Sequence, residues 1–566
     1  MEAAELSYQN ALRIKPDYCQ AWNNLGNLFR TRRFPDQSIC CYKKALELKG
    51  NYAEAFLNMG IAFYDMEKFQ EAVSCYDNSL KLDQTCSEAF NAKGIVLKSL
   101  GLHDDAILCF QKAMELRPDY AEACSYLVHE LQHVCDWKQF KYFAAILDIF
   151  TNQAITMDEK IHEPPFINIT RKIDLQQNFV VAKKWCATTV KHTESAETFL
   201  FDARKQVEKK ITIGYLSHDF RDHATSHLML SLFGLHDRGR FKVYCYSSGT
   251  DDKSRFRERI KRESDRFVDI RTFTDIEAAQ QIFNDRVDIL VDLNGHTRGG
   301  RLWISSFRPA PIQMVYLGFP GTTGTDFIDY IITDEIVTPE EHAPFYSEKF
   351  LFLPHSYQVN DNTQLISEEN FIKKDLGLPE KGFIFSSFNQ TYKIEPLIFN
   401  TWMKILAKVH DSVLWLFTGG KTSEVNLRKE ANARGINPNR LIFAEKIPKD
   451  KHLARLKIAD LALDTRIVNG HTTTSDTLWA GVPVVALIGN HFASRVSASL
   501  LTAVGLPELI ADNLNDYEAL AVQLAETPEK LEAIRAKLDR NRYTMPLFDT
   551  PRFVKNLEKG YAGVWD

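Results

Sequence analysis

The sequence lacks the features that mark secreted, membrane and nucleic-acid-binding proteins. Its ten cysteines include no C-x-x-C pair, so neither a common zinc motif nor a disulfide framework is indicated, and the thiols fit a reducing compartment. No apolar run reaches the length of a membrane span, and no signal peptide is visible. The 69 basic and 74 acidic residues nearly balance, so neither nucleic acid nor a membrane is an expected partner. These absences predict a soluble, cytoplasmic protein.

What the sequence does contain is a 34-residue repeat near its start. Small residues recur at this interval in three sets: Ala21, Ala55, Ala89 and Ala123; Gly26, Gly60 and Gly94; and Cys41, Cys75 and Cys109. Such a period is typical of tetratricopeptide repeats, in which helical hairpins stack because none buries its apolar face alone. The three cysteines are therefore predicted to be core residues. Arrays of this kind usually present a concave surface to other polypeptides.

The chain is predicted to divide into five parts. Residues 1–120 hold the repeats, 121–208 form a helical capping and connecting region, 209–374 and 375–545 form two α/β lobes, and 546–566 form a C-terminal helix. The predicted strands are 211–216, 242–246, 287–293, 312–317 and 330–333 in the first lobe, and 383–388, 413–417, 441–444, 461–464 and 484–487 in the second. Helical patterns separate them, which favours parallel sheets covered on both faces. Ligands usually bind such sheets at the carboxyl ends of the strands.

The polar, strand-poor segment 359–374 is predicted to link the two lobes, which places a cleft between them. The helix around residues 553–561 can pack on either lobe, and the pattern does not decide which.

The strongest candidate for chemistry is the segment from Asp464 to Asp476, which follows a predicted strand. A glycine-containing loop leads into three threonines, where we expect a helix to begin. A helix start offers free amides and the positive end of the helix dipole, both of which suit a phosphate. The simpler alternative is that Thr473 and Asp476 only form a capping box. The convergence of His471 with three hydroxyls favours the phosphate site.

Two further loops follow predicted strands. Residues 387–396 place Lys393 before a predicted helix. A single loop lysine is usually a solvated surface residue, but two such loops in one lobe support each other. Residues 217–227 contain three histidines without a recognisable metal-ligand spacing. Of these, His227 is predicted to be helical and structural, and His223 to face the cleft.

These loops, together with the repeats, closely resemble the protein O-linked N-acetylglucosamine transferases, especially compact bacterial members. The resemblance covers nearly the whole chain. The motifs that carry it are Cys135–Trp137, Arg308–Gln313, Leu317–Thr322, Tyr346–Glu348, Phe388–Gln390 and Asn469–Thr473. It implies a tetratricopeptide solenoid followed by two Rossmann-like lobes of the GT-B type. It also implies inverting, metal-independent transfer of N-acetylglucosamine from UDP-N-acetylglucosamine to Ser or Thr hydroxyls of proteins, with no cofactor.

The resemblance further implies roles for individual residues. Lys393 and Gln390 would contact the diphosphate, and Lys393 would stabilise the departing UDP. His223 matches the histidine proposed as the base, although substrate phosphate or water could accept the proton instead. The other implied donor-binding residues are His471, Thr472 and Thr473 at the phosphates, Asp476 and Lys449 at the ribose, His452 and Arg455 at the uracil, and Gly318 and Pro320 beside the sugar.

Several positions depart from the family pattern. Asp288 stands where animal members have a second active-site histidine, so that role cannot be transferred. Val468 replaces a cysteine close to the sugar's N-acyl group, which leaves the donor sugar open. Asn24 and Asn58 occupy positions of the family's peptide-binding asparagine ladder, which Ala92 breaks; that they are merely solvated is equally plausible. The long interlobe insertion of animal members is reduced here to the polar linker.

Two alternatives to this function stay open from the sequence. One is a related transferase that uses GDP-fucose or UDP-glucose, and the other is a repeat scaffold whose catalytic region is inactive. The presence together of Lys393, His471 and Asp476 argues against the scaffold. The expected partners are acceptor proteins or peptides bound through the repeats and the cleft, and the UDP-sugar. A homodimer is a further candidate.

Overall fold

The computed structural model describes residues 2–190, 199, 201 and 210–566. Contacts divide the chain into two units. The helical unit comprises Met1–Leu131, Lys138–Gln153 and Thr272–Thr274, and the α/β unit comprises Gln132–Trp137, Ala154–Arg271 and Asp275–Asp566. Within the described residues, no helix combines the length and the apolar character needed to cross a membrane.

The 34-residue period corresponds to pairs of helices. The first helices are α1 Glu2–Ile14, α2 Cys19–Thr31, α3 Pro35–Leu48, α4 Ala53–Asp65, α5 Phe69–Leu82, α6 Ser87–Ser99, α7 His103–Leu116, α8 Ala121–His133 and α9 Trp137–Thr156. A Cβ atom added to Gly60 of α4 would lie 2.5 Å from the buried ring of Tyr76 in α5. The same contact recurs at Gly26 with Tyr42 and at Gly94 with Phe110. The repeated glycine therefore lets the two helices of each hairpin touch.

The repeated cysteines are core residues, as predicted, because Cys41, Cys75 and Cys109 are all buried. In the repeat region Asn24 is exposed, and the side-chain amide of Asn58 donates to the side-chain oxygen of Asn23 at 3.1 Å.

The first lobe follows α10 Pro165–Arg171 and α11 Leu175–Val190. Its strands are β1 Ile211–Ser217, β2 Phe241–Ser247, β3 Arg266–Asp269, β4 Ile289–Asp292, β5 Ile312–Val315, β6 Tyr330–Thr333 and β7 Lys349–Phe352. Its helices are α12 Ala224–Met229, α13 Leu232–Leu235, α14 Arg255–Glu263, α15 Asp275–Asn284 and α16 Trp303–Ser306. All strands run parallel in the order β3-β2-β1-β4-β5-β6-β7. The order reverses between β1 and β4.

The second lobe repeats this design. Its strands are β8 Phe383–Ser387, β9 Ser412–Phe417, β10 Leu441–Ala444, β11 Leu461–Leu463, β12 Val484–Leu487 and β13 Ile510–Ala511. Its helices are α17 Pro396–Lys408, α18 Lys421–Ala433, α19 Lys449–Leu456, α20 His471–Trp479, α21 Val496–Ala503, α22 Leu514–Glu526 and α23 Pro528–Thr544, and α24 Thr550–Trp565 follows the lobe. The strand order is β10-β9-β8-β11-β12-β13, which reverses between β8 and β11. The predicted fold class, helical repeats followed by two parallel α/β lobes, is confirmed.

Each predicted strand overlaps an observed one, but β3, β7 and β13 were not predicted. β3 has only two apolar residues among its four, whereas β7 is an apolar run, Lys-Phe-Leu-Phe, that was not predicted as a strand; neither contains a fully buried residue. β13 has only two residues. These short strands lie at or near the sheet edges, where one face or one side is left uncovered.

The last helix, α24, packs on the first lobe although it follows the second. The hydroxyl of Tyr561 lies 3.1 Å from the hydroxyl of Tyr215 in β1, and both side chains are buried. The carboxylate of Glu558 accepts from the backbone amide of Asp237 at 2.7 Å. The sequence left both lobes open for this helix, and these contacts decide for the first.

The segment between the lobes contains no strand, in agreement with its polar pattern, but its first residues are packed into the protein. Asn360 and Asp361 are both 1% exposed. The hydroxyl of Ser231 donates to Asp361, and that of Thr550 donates to the backbone oxygen of Asn360 at 2.7 Å. This part of the linker is therefore fixed to the first lobe and to the start of α24.

Candidate active site

The candidate loops lie where the strand order of each sheet reverses. In the first lobe the candidate loop of residues 217–227 follows β1, and in the second lobe the two candidate loops follow β8 and β11. At such a point the two flanking connections leave on opposite faces of a parallel sheet and open a crevice at the carboxyl ends of the strands. Both crevices belong to the same α/β unit.

Lys393 ends a short 3₁₀ helix, Thr391–Lys393, between β8 and α17. Its Nζ atom donates to the backbone oxygen of Asn469 at 2.8 Å and lies 3.4 Å from Oδ1 of Asn389. Burial lowers the pKa of Lys393 to about 8, and the nearby carboxylate of Asp464 opposes this shift. The lysine thus reaches from the loop after β8 to the loop after β11, which is unlike a solvated surface residue.

The helix α20 begins at His471 and has Gly470 as its N-cap. The alternative of a capping box that starts at Thr473 is therefore wrong, because Thr473 lies inside the first turn. The amide of Gly470 donates to Oδ1 of Asp464 at 2.7 Å, which fixes where the helix starts. Amides of a first turn have no intrahelical carbonyl to bond and favour an anion. In α20 these belong to His471, Thr472 and Thr473.

His471 is a neutral imidazole. Burial lowers its pKa to about 3, and the charge of Lys393 adds to this shift. Its Nε2 donates to the backbone oxygen of Ala493 at 3.2 Å, so Nδ1 is left as the acceptor of the ring.

Lys449 and Asp476 form an ion pair between α19 and α20. The Nζ atom of Lys449 lies 2.6 and 2.7 Å from the two carboxylate oxygens of Asp476, whose side chain is 8% exposed. Burial raises the pKa of Asp476, and Lys449 opposes this by favouring the charged form. The pair offers both donors and acceptors, which is what recognition of vicinal sugar hydroxyls requires.

His452 and Arg455, also on α19, meet at one aromatic ring. The guanidinium of Arg455 lies over Phe388 at 5.0 Å, and the imidazole of His452 meets the edge of the same ring at 4.9 Å. Nε of Arg455 donates to Nδ1 of His452 at 3.0 Å. Burial lowers the pKa of His452 to about 3 and that of Arg455 to about 10. A nucleobase is planar and polar, so it suits this combination of an aromatic ring with hydrogen-bonding side chains.

In the first lobe, His223 is the N-cap of α12. Its Nδ1 accepts from the amide of Thr225 at 3.3 Å and lies 3.6 Å from Oδ2 of Asp219. The packing around the ring lowers the pKa of His223, and the charge of Asp219 opposes this. With Nδ1 accepting, the neutral ring carries its proton on Nε2. To act as a base through Nε2, the neutral ring must carry its proton on Nδ1 instead. Nδ1 would then donate to Asp219 rather than accept from the amide of Thr225.

The predicted structural role of His227 agrees with its position inside α12, where its ring packs against Phe256 in a tilted arrangement with the centroids 4.4 Å apart and its Nε2 meets Asp222 at 2.6 Å. His227 and Lys449 line the same interlobe cavity, which is about 270 Å³ in volume. The helix that carries His223 therefore faces the second lobe.

The loop after β5 carries Gly318 and Pro320. A Cβ atom on Gly318 would lie 2.1 Å from the backbone oxygen of Leu293, so the loop can approach the end of β4 only with glycine here. Pro320 lines a small cavity between the lobes. The second-lobe residues of that cavity are His491 and Phe492.

Three further positions that the sequence singled out lie outside the groups of residues described above. Gln390 is exposed, and its backbone oxygen accepts from the amide of Lys393 at 3.0 Å. Val468 is buried in a cluster with Ile467 and Ala493. Asp288 precedes β4 and accepts from the amide of Thr212 at 2.8 Å. It therefore lies at the amino ends of the strands, and the candidate loops lie at the carboxyl ends.

Several residues that shape the site were not assigned a role from the sequence. Phe388 supplies the ring under His452 and Arg455. Asn294 donates to Oδ2 of Asp219 at 2.7 Å and so orients the carboxylate beside His223. Glu348 accepts from the hydroxyl of Thr322 and the amide of Thr323, both at 2.6 Å, and holds the loop of Gly318. Phe388 and Glu348 lie in motifs that carry the resemblance, and that position was the available signal.

A sequence model described as "Glycosyl transferase family 41" matches residues 134–370 and 371–557. The chain belongs to glycosyl transferase family 41. Tetratricopeptide repeat models match residues 53–86 and 87–120 of this family 41 protein. The predicted family is thus confirmed over both lobes and the repeats.

Relatives of this family 41 chain carry consistent names. It is 41% identical over 454 residues to a probable UDP-N-acetylglucosamine–peptide N-acetylglucosaminyltransferase of Arabidopsis thaliana, covering 78% of this chain and 46% of the relative. It is 30% identical over 469 residues to the enzyme of that name from Caenorhabditis elegans, covering 63% and 41%. The chain therefore spans less than half the length of these two relatives. A solved mutant O-GlcNAc transferase of Thermobaculum terrenum is similar over 97% of both chains, with 25% identity and a TM-score of 0.70.

Proposed function

We propose that this protein transfers N-acetylglucosamine from UDP-N-acetylglucosamine to Ser or Thr hydroxyls of proteins, with inversion and without a metal. The observation that carries the proposal is the succession of three polar groups in the second lobe. Phe388 with His452 and Arg455 suits a base, Lys449 with Asp476 suits a ribose, and Lys393 beside the start of α20 suits a diphosphate. The names of the family relatives support UDP-N-acetylglucosamine as the donor.

The proposed reaction is one displacement at the anomeric carbon. The acceptor oxygen forms the new bond while the bond to the β-phosphate oxygen breaks and UDP leaves. Lys393 and the first-turn amides of α20 neutralise the charge that develops on UDP. The proton of the acceptor hydroxyl goes to His223, to a phosphate oxygen or to water. Holding the hydroxyl in line with the leaving group supplies much of the rate.

The proposed acceptors are polypeptides that contact the repeats as well as the cleft. We further propose a cytoplasmic location, and we keep a homodimer as a candidate that light scattering of the purified chain would test.

The test is release of UDP or GDP from a panel of nucleotide sugars with a Ser/Thr-rich acceptor peptide, together with intact-mass analysis of peptide and enzyme. UDP release from UDP-N-acetylglucosamine with one added sugar mass is expected, and EDTA should not reduce it. Lys393→Ala should abolish turnover in a folded sample. Turnover equal to that of the wild type would contradict the phosphate site. Release from GDP-fucose or UDP-glucose alone would replace the donor, and release from no sugar would favour the scaffold.

A further inference from the structure

Asp464 lies beneath the proposed diphosphate site and has no role in the displacement described above. It directly follows β11 and is 2% exposed. Its Oδ1 accepts from the amide of Gly470 at 2.7 Å and from Nδ2 of Asn389 at 3.2 Å. One carboxylate therefore contacts the loops after both β11 and β8.

The two groups that donate to Asp464 determine the positions of the proposed phosphate ligands. Gly470 is the N-cap of α20, so its amide sets the position of the first-turn amides. Asn389 contacts Asp464 through Nδ2 and Lys393 through Oδ1. Because the amide group of Asn is planar, a bond that fixes its nitrogen also helps to fix the direction of its oxygen.

We propose that Asp464 is a positioning residue for donor binding, whose carboxylate holds the Gly470 amide and, through Asn389, the ammonium of Lys393 in place before the nucleotide arrives. This inference rests on the proposed function, since it assumes that the site takes a diphosphate. In this arrangement a buried carboxylate, that of Asp464, supports a site that binds an anion. The carboxylate keeps the cation of an empty site charged, and its bonds order the amides.

The charges around Lys393 agree with this role. Asp464 raises the pKa of Lys393 against the effect of burial, which leaves it at about 8. His471 faces Lys393 from α20 and is neutral, because burial lowers its pKa to about 3. Arg466 in the same loop is paired with Glu395 at 2.8 Å. Burial raises the pKa of Asp464, and the charge of Lys393 opposes this, so each group favours the charged form of the other.

The test is calorimetric titration with UDP from about pH 6.5 to about pH 9, a range above the second phosphate pKa of about 6 and below the deprotonation of the uracil ring. Wild-type affinity is expected to be nearly constant up to about pH 7, to halve by about pH 8 and then to fall further as Lys393 loses its proton. Asp464→Asn keeps the shape and an acceptor for Gly470 but removes the charge. In this variant the fall should begin about one pH unit lower, so that UDP binds about fivefold more weakly than to the wild type at about pH 8.

Asp460→Asn is the matched control, because Asp460 sits at the other end of β11 and accepts from the amide of Ile384 at 2.8 Å. It should follow the wild-type curve. A folded Asp464→Asn protein with the wild-type curve would overturn the role of Asp464. If that variant does not fold, Asn389→Ala should weaken UDP binding, and unchanged affinity would overturn the proposal. A wild-type chain that binds no UDP at any pH would instead overturn the proposed function itself.

Discussion

The ammonium of Lys449 lies within 2.7 Å of both carboxylate oxygens of Asp476, and this pair joins the helix of the proposed base site to the helix of the proposed phosphate site. Because α19 and α20 meet at these two residues, the spacing between a nucleobase and a diphosphate would be set by one ion pair.

Asp476→Asn should weaken UDP binding by about 10- to 100-fold, since hydrogen bonds to a charged group contribute about 1.5–3 kcal/mol. Calorimetry with UDP measures the change. Asp450→Asn, next to Lys449 on α19, makes the same charge change away from Asp476 and should leave the affinity unaltered. Equal losses in both variants would mean that overall charge, not the pair, determines the affinity.

His223→Ala should reduce sugar transfer much more than UDP binding, by about 10²–10⁴-fold if the ring takes the proton. Because His223 also caps α12, His223→Asn is the better comparison, as Asn retains a capping oxygen. Steady-state transfer and UDP calorimetry on both variants separate the two roles. Lost UDP affinity with undiminished transfer would exclude His223 as the base.

His296→Gln should make the stability of the α/β unit less sensitive to acid. The Nε2 of His296 donates to the backbone oxygen of Thr323 at 2.8 Å, and burial lowers its pKa to about 4. Between about pH 6.5 and about pH 4 the unfolded imidazole takes up a proton that the folded one does not. The contribution of His296 to the free energy of unfolding is therefore lost as the pH falls through this range.

The measurement is urea unfolding of wild type and His296→Gln at several pH values. We expect the variant to be less stable at neutral pH, and its deficit to shrink as the pH falls through this window. The difference between the two proteins cancels the buried carboxyl groups, which are common to both. A constant deficit would show that His296 does not titrate abnormally.

Gly60→Ala should destabilise the helical unit by about 1–3 kcal/mol, the usual result of overpacking. Alanine is the better helix former by about 1 kcal/mol, so the sign depends on the ring of Tyr76, 2.5 Å from the new Cβ. Gly50→Ala is the control, because its Cβ would meet no atom closer than 4.0 Å. Thermal unfolding followed by circular dichroism should separate the two variants, and equal midpoints would contradict the close contact.

Tyr561→Phe should destabilise the α/β unit by about 1 kcal/mol through loss of the hydroxyl contact with Tyr215. Tyr543→Phe removes a hydroxyl from a side chain that is 68% exposed and should be neutral. Urea unfolding compares the two. A neutral Tyr561→Phe would mean that the buried hydroxyl contributes no net stability.

The sequence predicted the features that depend on local pattern. Small residues at a fixed interval predicted the repeats, and apolar runs predicted every strand except the edge strands β3, β7 and β13. The roles of Phe388 and Asp464 depend on how loops from β8 and β11 meet, which no single segment encodes. The start of α20 was predicted at Thr473 in the capping-box alternative because that pattern is local. The contact between the Gly470 amide and Asp464 is not a local pattern, and it decides the position.

The docking of α24 on the first lobe also governs how the protein is made. Residues 211–352 emerge from the ribosome well before residues 550–565, yet the buried hydroxyl of Tyr215 meets its partner Tyr561 only in that last helix. During synthesis, part of the surface of the first lobe therefore stays uncovered until the second lobe and α24 have been translated. Separate expression of the first lobe would leave that surface exposed unless α24 were supplied to it.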